Sequence, residues 1–206
     1  MKSWIILLFV GLTFACKKGK GDFTLKGLIT DTTFSSPFLG GIVKLYQIPA
    51  GTSQEILIGT QTLGSDGTYS FTFPRDKMEK YILKITKNNY FSLNETVFFS
   101  DLTLEEDNVF NYSTTAKSWA KLRFINSNPL AGDVFSYIKQ QGKANCPECC
   151  SITENIYYGA LDTTIYCIND GNTVYSYFYS VSGTSNQGVK SAVTVAFDTT
   201  EILLNY

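Results

Sequence analysis

The sequence predicts an all-β protein built as two tandem β-sandwiches behind an export signal, and three observations carry that prediction. Aromatic residues make up 15% of the 206-residue chain, with 13 Tyr and 15 Phe against 2 Met. Such side chains, with many Thr and Val, favour half-buried pleated surfaces. Apolar residues recur at period two in one run after another, and no stretch sustains a helical period. Clusters of Gly, Asn, Asp and Ser separate the runs at the spacing of short sandwich strands.

The leader comes first. Lys2 supplies a positive charge, an apolar run follows from Trp4, and Gly11-Leu12-Thr13-Phe14-Ala15 leads to Cys16. A charged start, an apolar run of about a dozen residues and a small residue before the break describe a secretory signal. The run is too short to cross ~30 Å of hydrocarbon as a helix. Thr13-Phe14-Ala15-Cys16 resembles a bacterial lipobox, with Thr where Leu is usual. The resemblance implies that residues 1–15 are removed and that Cys16 carries lipid, attaching the protein to a membrane. Ordinary signal cleavage is the plainer alternative. Residues 16–22 then read as lipidated cysteine and tether, with Lys17, Lys18 and Lys20 solvated among glycines. The acidic run that resembles a surface-export signal in many Bacteroidota lipoproteins does not stand at this place. The membrane face, periplasmic or surface, therefore stays open at a bacterial envelope, with the outer membrane the expected location.

Composition excludes several functions. A net charge of −1 with 17% charged residues gives no electrostatic footprint for nucleic acid. Histidine is absent from the sequence, which removes Ser-His-Asp and Cys-His nucleophile activation and His-based zinc sites. No catalytic residue and no cofactor are expected.

Phe23, Leu25, Gly27 and Ile29 alternate with polar residues in a first strand, which Asp31-Thr32-Thr33 ends. Ile42 to Ile48 and Glu55 to Leu63 are the next two. Gly64-Ser65-Asp66-Gly67 is a hairpin turn, since Asp-Gly tolerates positive φ. Tyr69, Phe71 and Phe73 then share one face, and Tyr81, Leu83 and Ile85 repeat the pattern. Further strands are expected at Thr96–Phe99 and Val109–Ser113. Gly27-x-Ile29-x-Asp31, Pro37-x-x-Gly40-x-x-Val43-x-Leu45, Ser65-Asp66-Gly67-x-Tyr69-x-Phe71 and Tyr81-x-Leu83-x-Ile85-x-Lys87-x-x-Tyr90 together resemble the carboxypeptidase regulatory-like domain. That resemblance implies a transthyretin-like (prealbumin-like) sandwich over 23–114, with Tyr69 and Tyr90 in its core and no catalysis. Leu104 to Asn108 is an acidic turn whose spacing fits no calcium loop.

A second sandwich is expected over 115–206. Ala120, Leu122 and Phe124 alternate with Lys117, Trp119, Lys121 and Arg123. The aliphatic row is core, and Trp119, Lys121 and Arg123 form a candidate docking strip for a glycan or protein partner through cation–π contact. The competing reading tucks Trp119 into the interdomain joint. Strands follow at Phe135–Gln140, Ile156–Tyr158, Thr164–Ile168, Thr173–Val181, Val193–Phe197 and Ile202–Tyr206. Tyr175, Tyr177 and Tyr179 share one face, either a candidate sugar-stacking platform or a core face.

Cysteines number five. If lipid takes Cys16, then Cys146, Cys149, Cys150 and Cys167 pair in the oxidising envelope. Bridging adjacent Cys149 and Cys150 strains the peptide, which leaves two connectivities open. Cys146-Pro147-Glu148-Cys149 resembles a thioredoxin-type pair, but no helical pattern follows it, and one C-x-x-C is half of a four-thiolate metal site. Structural bridges are the reading. Asp31-Thr32-Thr33, Asp162-Thr163-Thr164 and Asp198-Thr199-Thr200 each resemble a Bacteroidota O-glycosylation acceptor. The function expected is a non-catalytic, lipid-anchored envelope module that binds a polysaccharide or protein. The alternative is a structural subunit of an envelope or fimbrial assembly, and a carboxylate-based hydrolase is a more distant third.

Overall fold

Alternation along Thr68–Pro74 sends Tyr69, Phe71 and Phe73 into a core and leaves Thr68, Ser70 and Thr72 in solvent. The same rule builds the other strands of the computed structural model, which describes residues 21–130 and 132–206. Cys16 and the expected signal lie outside the described residues.

The first module has nine strands: β1 (Asp22–Asp31), β2 (Ser36–Pro37), β3 (Ile42–Pro49), β4 (Ile56–Thr62), β5 (Thr68–Pro74), β6 (Met78–Thr86), β7 (Leu93–Phe98), β8 (Asn108–Val109) and β9 (Tyr112–Thr114). The second has β10 (Lys117–Ile125), β11 (Val134–Gln141), β12 (Asn155–Tyr158), β13 (Asp162–Asp170), β14 (Thr173–Val181), β15 (Gln187–Thr194) and β16 (Thr199–Asn205). Among the described residues the only helix is one 3-10 turn at Phe99–Asp101, and none is long and apolar enough to cross a membrane. The protein is all-β.

The two modules share one topology. In the first, β1 takes β5 antiparallel on one edge and β8 and β9 parallel on the other. In the second, β10 takes β13 antiparallel and β16 parallel. The facing sheets run β4-β3-β6-β7 and β12-β11-β14-β15, so the strand order repeats. The first module differs by adding the short β2 and by splitting its last strand. The split occurs at Gly27, where an added Cβ would lie 1.8 Å from the carbonyl oxygen of Phe110. Phe110 donates its amide to Lys26 O, and the Asn111 side chain accepts from Leu28 N, so a side chain completes the ladder across the break. Each sheet pair closes on its own apolar cluster, around Phe23, Leu45 and Tyr81 in one and Ala120, Phe124 and Tyr177 in the other.

One expected strand is displaced. Val193 to Phe197 is not a strand; β15 runs from Gln187 and ends at Thr194, and Phe197 has φ 67° in the turn to β16. The inward row of β15 is Gly188, Lys190, Ala192 and Thr194, opposite Tyr179, Tyr177, Tyr175 and Thr173. Gly188 and Ala192 leave room for the rings of Tyr179 and Tyr175, and the valines face out, with Val189 61% exposed. The alternation is therefore inverted relative to hydrophobicity.

The turn carrying Phe197 closes the joint between the modules. Two residues, Thr115 and Ala116, connect β9 to β10. Ala116 donates its amide to Thr33 Oγ1 (2.9 Å) and accepts from Gly171 N (2.8 Å). Thr115 O accepts from Phe91 N, Lys117 N donates to Asn89 O, and Lys117 O accepts from Phe197 N. Phe197 stacks on Phe34 (5.8 Å between centroids) and meets Tyr90 edge-on at 5.3 Å. Lys117 and Lys143 lie over the Phe91 ring at 5.3 and 4.4 Å.

Candidate binding surfaces

Sheet register decides what the expected docking strip can do. On β10 the burial alternates as foreseen: Ala120, Leu122 and Phe124 are fully buried, and Trp119, Lys121 and Arg123 are half-buried on the outer face. Across that face Lys121 stands beside Tyr166 and Glu201, Trp119 beside Ile168 and Thr199, and Arg123 beside Thr164 and Leu203. Lys121 pairs with Glu201 at 2.7 Å and Arg123 pairs with Asp162, which raises both basic pKa values. Among the described residues no cation lies over the Trp119 ring, so the cations are held sideways by carboxylates. The Trp119 amide donates to Asp198 O within its own module. The register adds Tyr166, 61% exposed, to the strip.

The tyrosine ladder is not a platform. Tyr175 and Tyr177 are wholly buried and Tyr179 is half-buried. Tyr177 packs edge-on against Phe124 (5.4 Å) and Tyr137 (5.9 Å). Burial, with the neighbouring phenols, pushes the Tyr175 and Tyr177 pKa values up. Their row faces the sheet of β10, and no ligand can stack on it without opening the core.

The cysteines form two bridges, Cys146–Cys149 and Cys150–Cys167. The second ties the β11–β12 connection to the strand that carries Tyr166. Lys139 organises this loop from beneath: it is buried on β11, and its ammonium donates 2.7 Å hydrogen bonds to the carbonyls of Lys143 and Cys150. Burial lowers its pKa. Lys117 adds an ion pair to Glu148 inside the C-x-x-C turn.

Two acidic features have structural work. Asp31 is buried; Oδ1 accepts from the amides of Thr33 and Phe34, and Oδ2 accepts from Tyr90. In the 104–108 turn Glu105 is held by Thr103 and Asp107 by Lys26. No group of three or more metal-ligating side chains occurs among the described residues.

A feature with no signature in the sequence lies at the end of the second module away from the joint. A cavity of about 250 Å3 opens among Asn126, Asn128, Asp133, Thr184, Asn186 and Tyr206. Its walls are fixed by their own hydrogen bonds. Asp133 Oδ2 accepts from Asn126 Nδ2 (2.7 Å) and Leu130 N (2.9 Å), which hold its carboxyl below the usual range. Asn186 Oδ1 accepts from the Tyr179 hydroxyl, and Thr184 Oγ1 accepts from Asn186 N. The Tyr206 ring stacks on Phe135 at 4.8 Å, and its hydroxyl is buried without a hydrogen-bond partner. Burial and the charge of Asp133 push the Tyr206 pKa up to about 12.

No family model and no curated protein matches the chain. Among solved structures, the shaft pilin SpaA of Lactobacillus rhamnosus GG is similar at a TM-score of 0.36 and 10% identity, over 91% of this chain and 98% of that one. The minor pilin GBS52 of Streptococcus agalactiae reaches 0.38 and 15%, over 89% and 94%. Hydroxyquinol 1,2-dioxygenase from Pseudomonas putida DLL-E4 reaches 0.34 and 11%, over 48% of this chain and 58% of that one. At these scores the likenesses are distant and transfer no function to this chain.

Proposed function

We propose that the chain is a non-catalytic structural module of the bacterial cell envelope, tethered by lipid on Cys16, which holds its second sandwich at a fixed position relative to the first. The supporting observation is the joint. A connection of two residues leaves no slack, and Ala116, fully buried, hydrogen-bonds to Thr33 on one side and Gly171 on the other. Loose linkers are longer and solvated. We read 23–114 as the carboxypeptidase regulatory-like, transthyretin-like module and 115–206 as its stapled repeat. Among the described residues the buried charged side chains are spoken for, Asp31 by Tyr90 and two amides and Lys139 by two carbonyls, which supports a non-catalytic reading. The bridges suit an oxidising compartment.

Two experiments test this. Metabolic labelling with a radioactive fatty acid should mark the native protein and not its Cys16→Ser variant; an unlabelled native protein ends the lipid-anchor reading. Affinity purification from detergent-extracted envelopes should recover envelope proteins in fixed stoichiometry, and a chain that elutes alone contradicts the structural role. A second reading, binding of a polysaccharide or protein partner to the β10 face, rests on exposed Tyr166 beside Trp119, Lys121 and Arg123. A Tyr166→Ala variant that binds envelope polysaccharide as well as the native chain removes it.

A further inference from the structure

We propose that the outer face of the β12-β11-β14-β15 sheet is an interface, and that its occupant is a second copy of this chain, packed sheet against sheet about a twofold axis. Lys139 and Lys190 are the only charged residues in these four strands, and both stand on the inward side. The outward side therefore carries no charge. Each of the other three outer sheet faces carries an ion pair: Lys26–Asp107, Lys84–Glu55 and Lys121–Glu201.

Register gathers the outward side chains into rows. Ile138, Phe178 and Val189 stand side by side across three strands. On one side of that row lie Ser136 and Ser180, and beyond them Val134 beside Tyr158. On the other side lie Ser176 and Ser191, and beyond them Val174 beside Val193. Apolar ridges thus alternate with serine troughs, with Ser176 buried at the bottom of one. The ridges reach both edges of the sheet, where Tyr158 is 77% exposed on β12 and Val193 57% on β15. β15 holds its valines outward while Gly188 and Ala192 occupy its inner side. Apolar side chains placed this way contribute burial energy only when the outer face is covered.

The face selects its occupant. A twofold interface sets one patch against itself, so a charge on the patch meets its own sign, and a charge-free patch escapes that repulsion. Sheets pack face to face ~10 Å apart with side chains interdigitated, and a copy displaced by one row sets its ridges over the serine troughs. At ~3.4 Å per residue and ~4.8 Å between strands, the four strands cover roughly 500 Å2, so two copies bury roughly 1,000 Å2 before side-chain relief is counted, which meets the ~1,000 Å2 of a specific interface. A lipid surface calls for basic residues around the apolar ones, and a charged partner calls for the opposite charge; the face offers neither. Trp119 and Tyr166 lie on the other sheet of the module, so a ligand on β10 does not compete for this face. The inference goes beyond the structural reading and does not depend on lipid at Cys16.

The test follows the full mature chain, extracted from envelopes in mild detergent, by sedimentation equilibrium at a solvent density that cancels the detergent, over about 1–100 µM. Two chains per particle should be present at the upper end. Val189→Lys and Ile156→Lys put a charge on opposite edges of the face, at exposed positions where the melting temperature should stay native. Each should weaken association by about tenfold or more, as an unpaired charge in an interface does. Tyr166→Lys, on the other sheet, should leave association unchanged. A native chain that stays single throughout, native association in both face variants, or loss confined to Tyr166→Lys would each overturn the assignment. A single native chain that copurifies with a different envelope protein, and loses it in Val189→Lys, would give the face to that protein and overturn the assignment as well.

Discussion

The hydroxyl of Tyr90 donates a 2.8 Å hydrogen bond to Oδ2 of Asp31 at the point where the two modules meet. The other carboxylate oxygen caps Thr33 N and Phe34 N, so one buried side chain shapes the turn that delivers Thr33 to Ala116 and Phe34 to Phe197. Tyr90→Phe deletes one bond to a charged acceptor and leaves the ring in place. Thermal unfolding should show a loss of about 1.5–3 kcal/mol. Asp31→Ala should cost more, because three donors lose their acceptor. A Tyr90→Phe variant as stable as the native protein would remove the pair from the account. The buried carboxylate also bears on Asp31-Thr32-Thr33 as a glycosylation acceptor: an enzyme reading Asp31 would have to act before folding.

The two bridges should differ in weight. Cys150 and Cys167 are 17 apart in sequence and Cys146 and Cys149 are 3 apart. Loop-closure entropy makes the first worth about 3 kcal/mol and the second about 2. Denaturant unfolding of the two double-serine variants should rank them in that order. The reverse order would mean that the C-x-x-C turn, through Lys117 and Glu148, contributes more than its loop length implies.

Gly27→Ala should be among the most damaging single substitutions in the first module. The new methyl would sit inside the Phe110 carbonyl and 3.0 Å from the ring of Tyr69, whose hydroxyl donates to that carbonyl at 2.7 Å. Relief requires β8 and β9 to leave β1. A loss of roughly 3 kcal/mol or more is expected, in the range of disruptive core changes. Circular dichroism melts of the variant check it, and an unchanged midpoint would contradict the parallel pairing at this edge.

Alkali should unfold the protein. The phenols of Tyr81, Tyr137 and Tyr206 are pushed up to about 12, and burial raises Tyr69, Tyr90, Tyr175 and Tyr177 as well. In the unfolded chain they ionise near 10, so above that pH the unfolded state holds fewer protons and is favoured. The stability these groups support is complete below pH 10 and falls as pH rises through 12. Tyrosinate absorbance near 295 nm should appear together with loss of the β signal. Ionisation that runs to completion with the sheets intact would place these rings in solvent.

Much of this fold was legible because alternation and burial coincide: Tyr69, Phe71 and Phe73 point inward as their spacing requires, and Gly67 takes the positive φ its turn needs. The ladder at Tyr175 and Tyr177 was legible as a face but not as a core, since sequence shows that residues share a side without showing which side meets the other sheet. Val193 misled for a related reason: the tyrosines of β14 claim the interior opposite Gly188, Lys190 and Ala192, and Val193, opposite Val174, faces out. The repeated topology was hidden because topology resides in pairing, and β1 and β10 share few residues. Asn126-Ser127-Asn128 reads as a turn by composition, and the same amides that make turns also line the cavity. Phe197 carried no signal at all: its role depends on Phe34 and Tyr90, more than a hundred residues away.

The central claim is that the joint at Thr115 and Ala116 fixes one module against the other. Residual dipolar couplings of backbone amides, measured on the weakly aligned native protein, test it most directly. A single alignment tensor should fit strands β1 to β16 together. Two tensors of different magnitude, one for each module, would show that the modules reorient independently and would contradict the account.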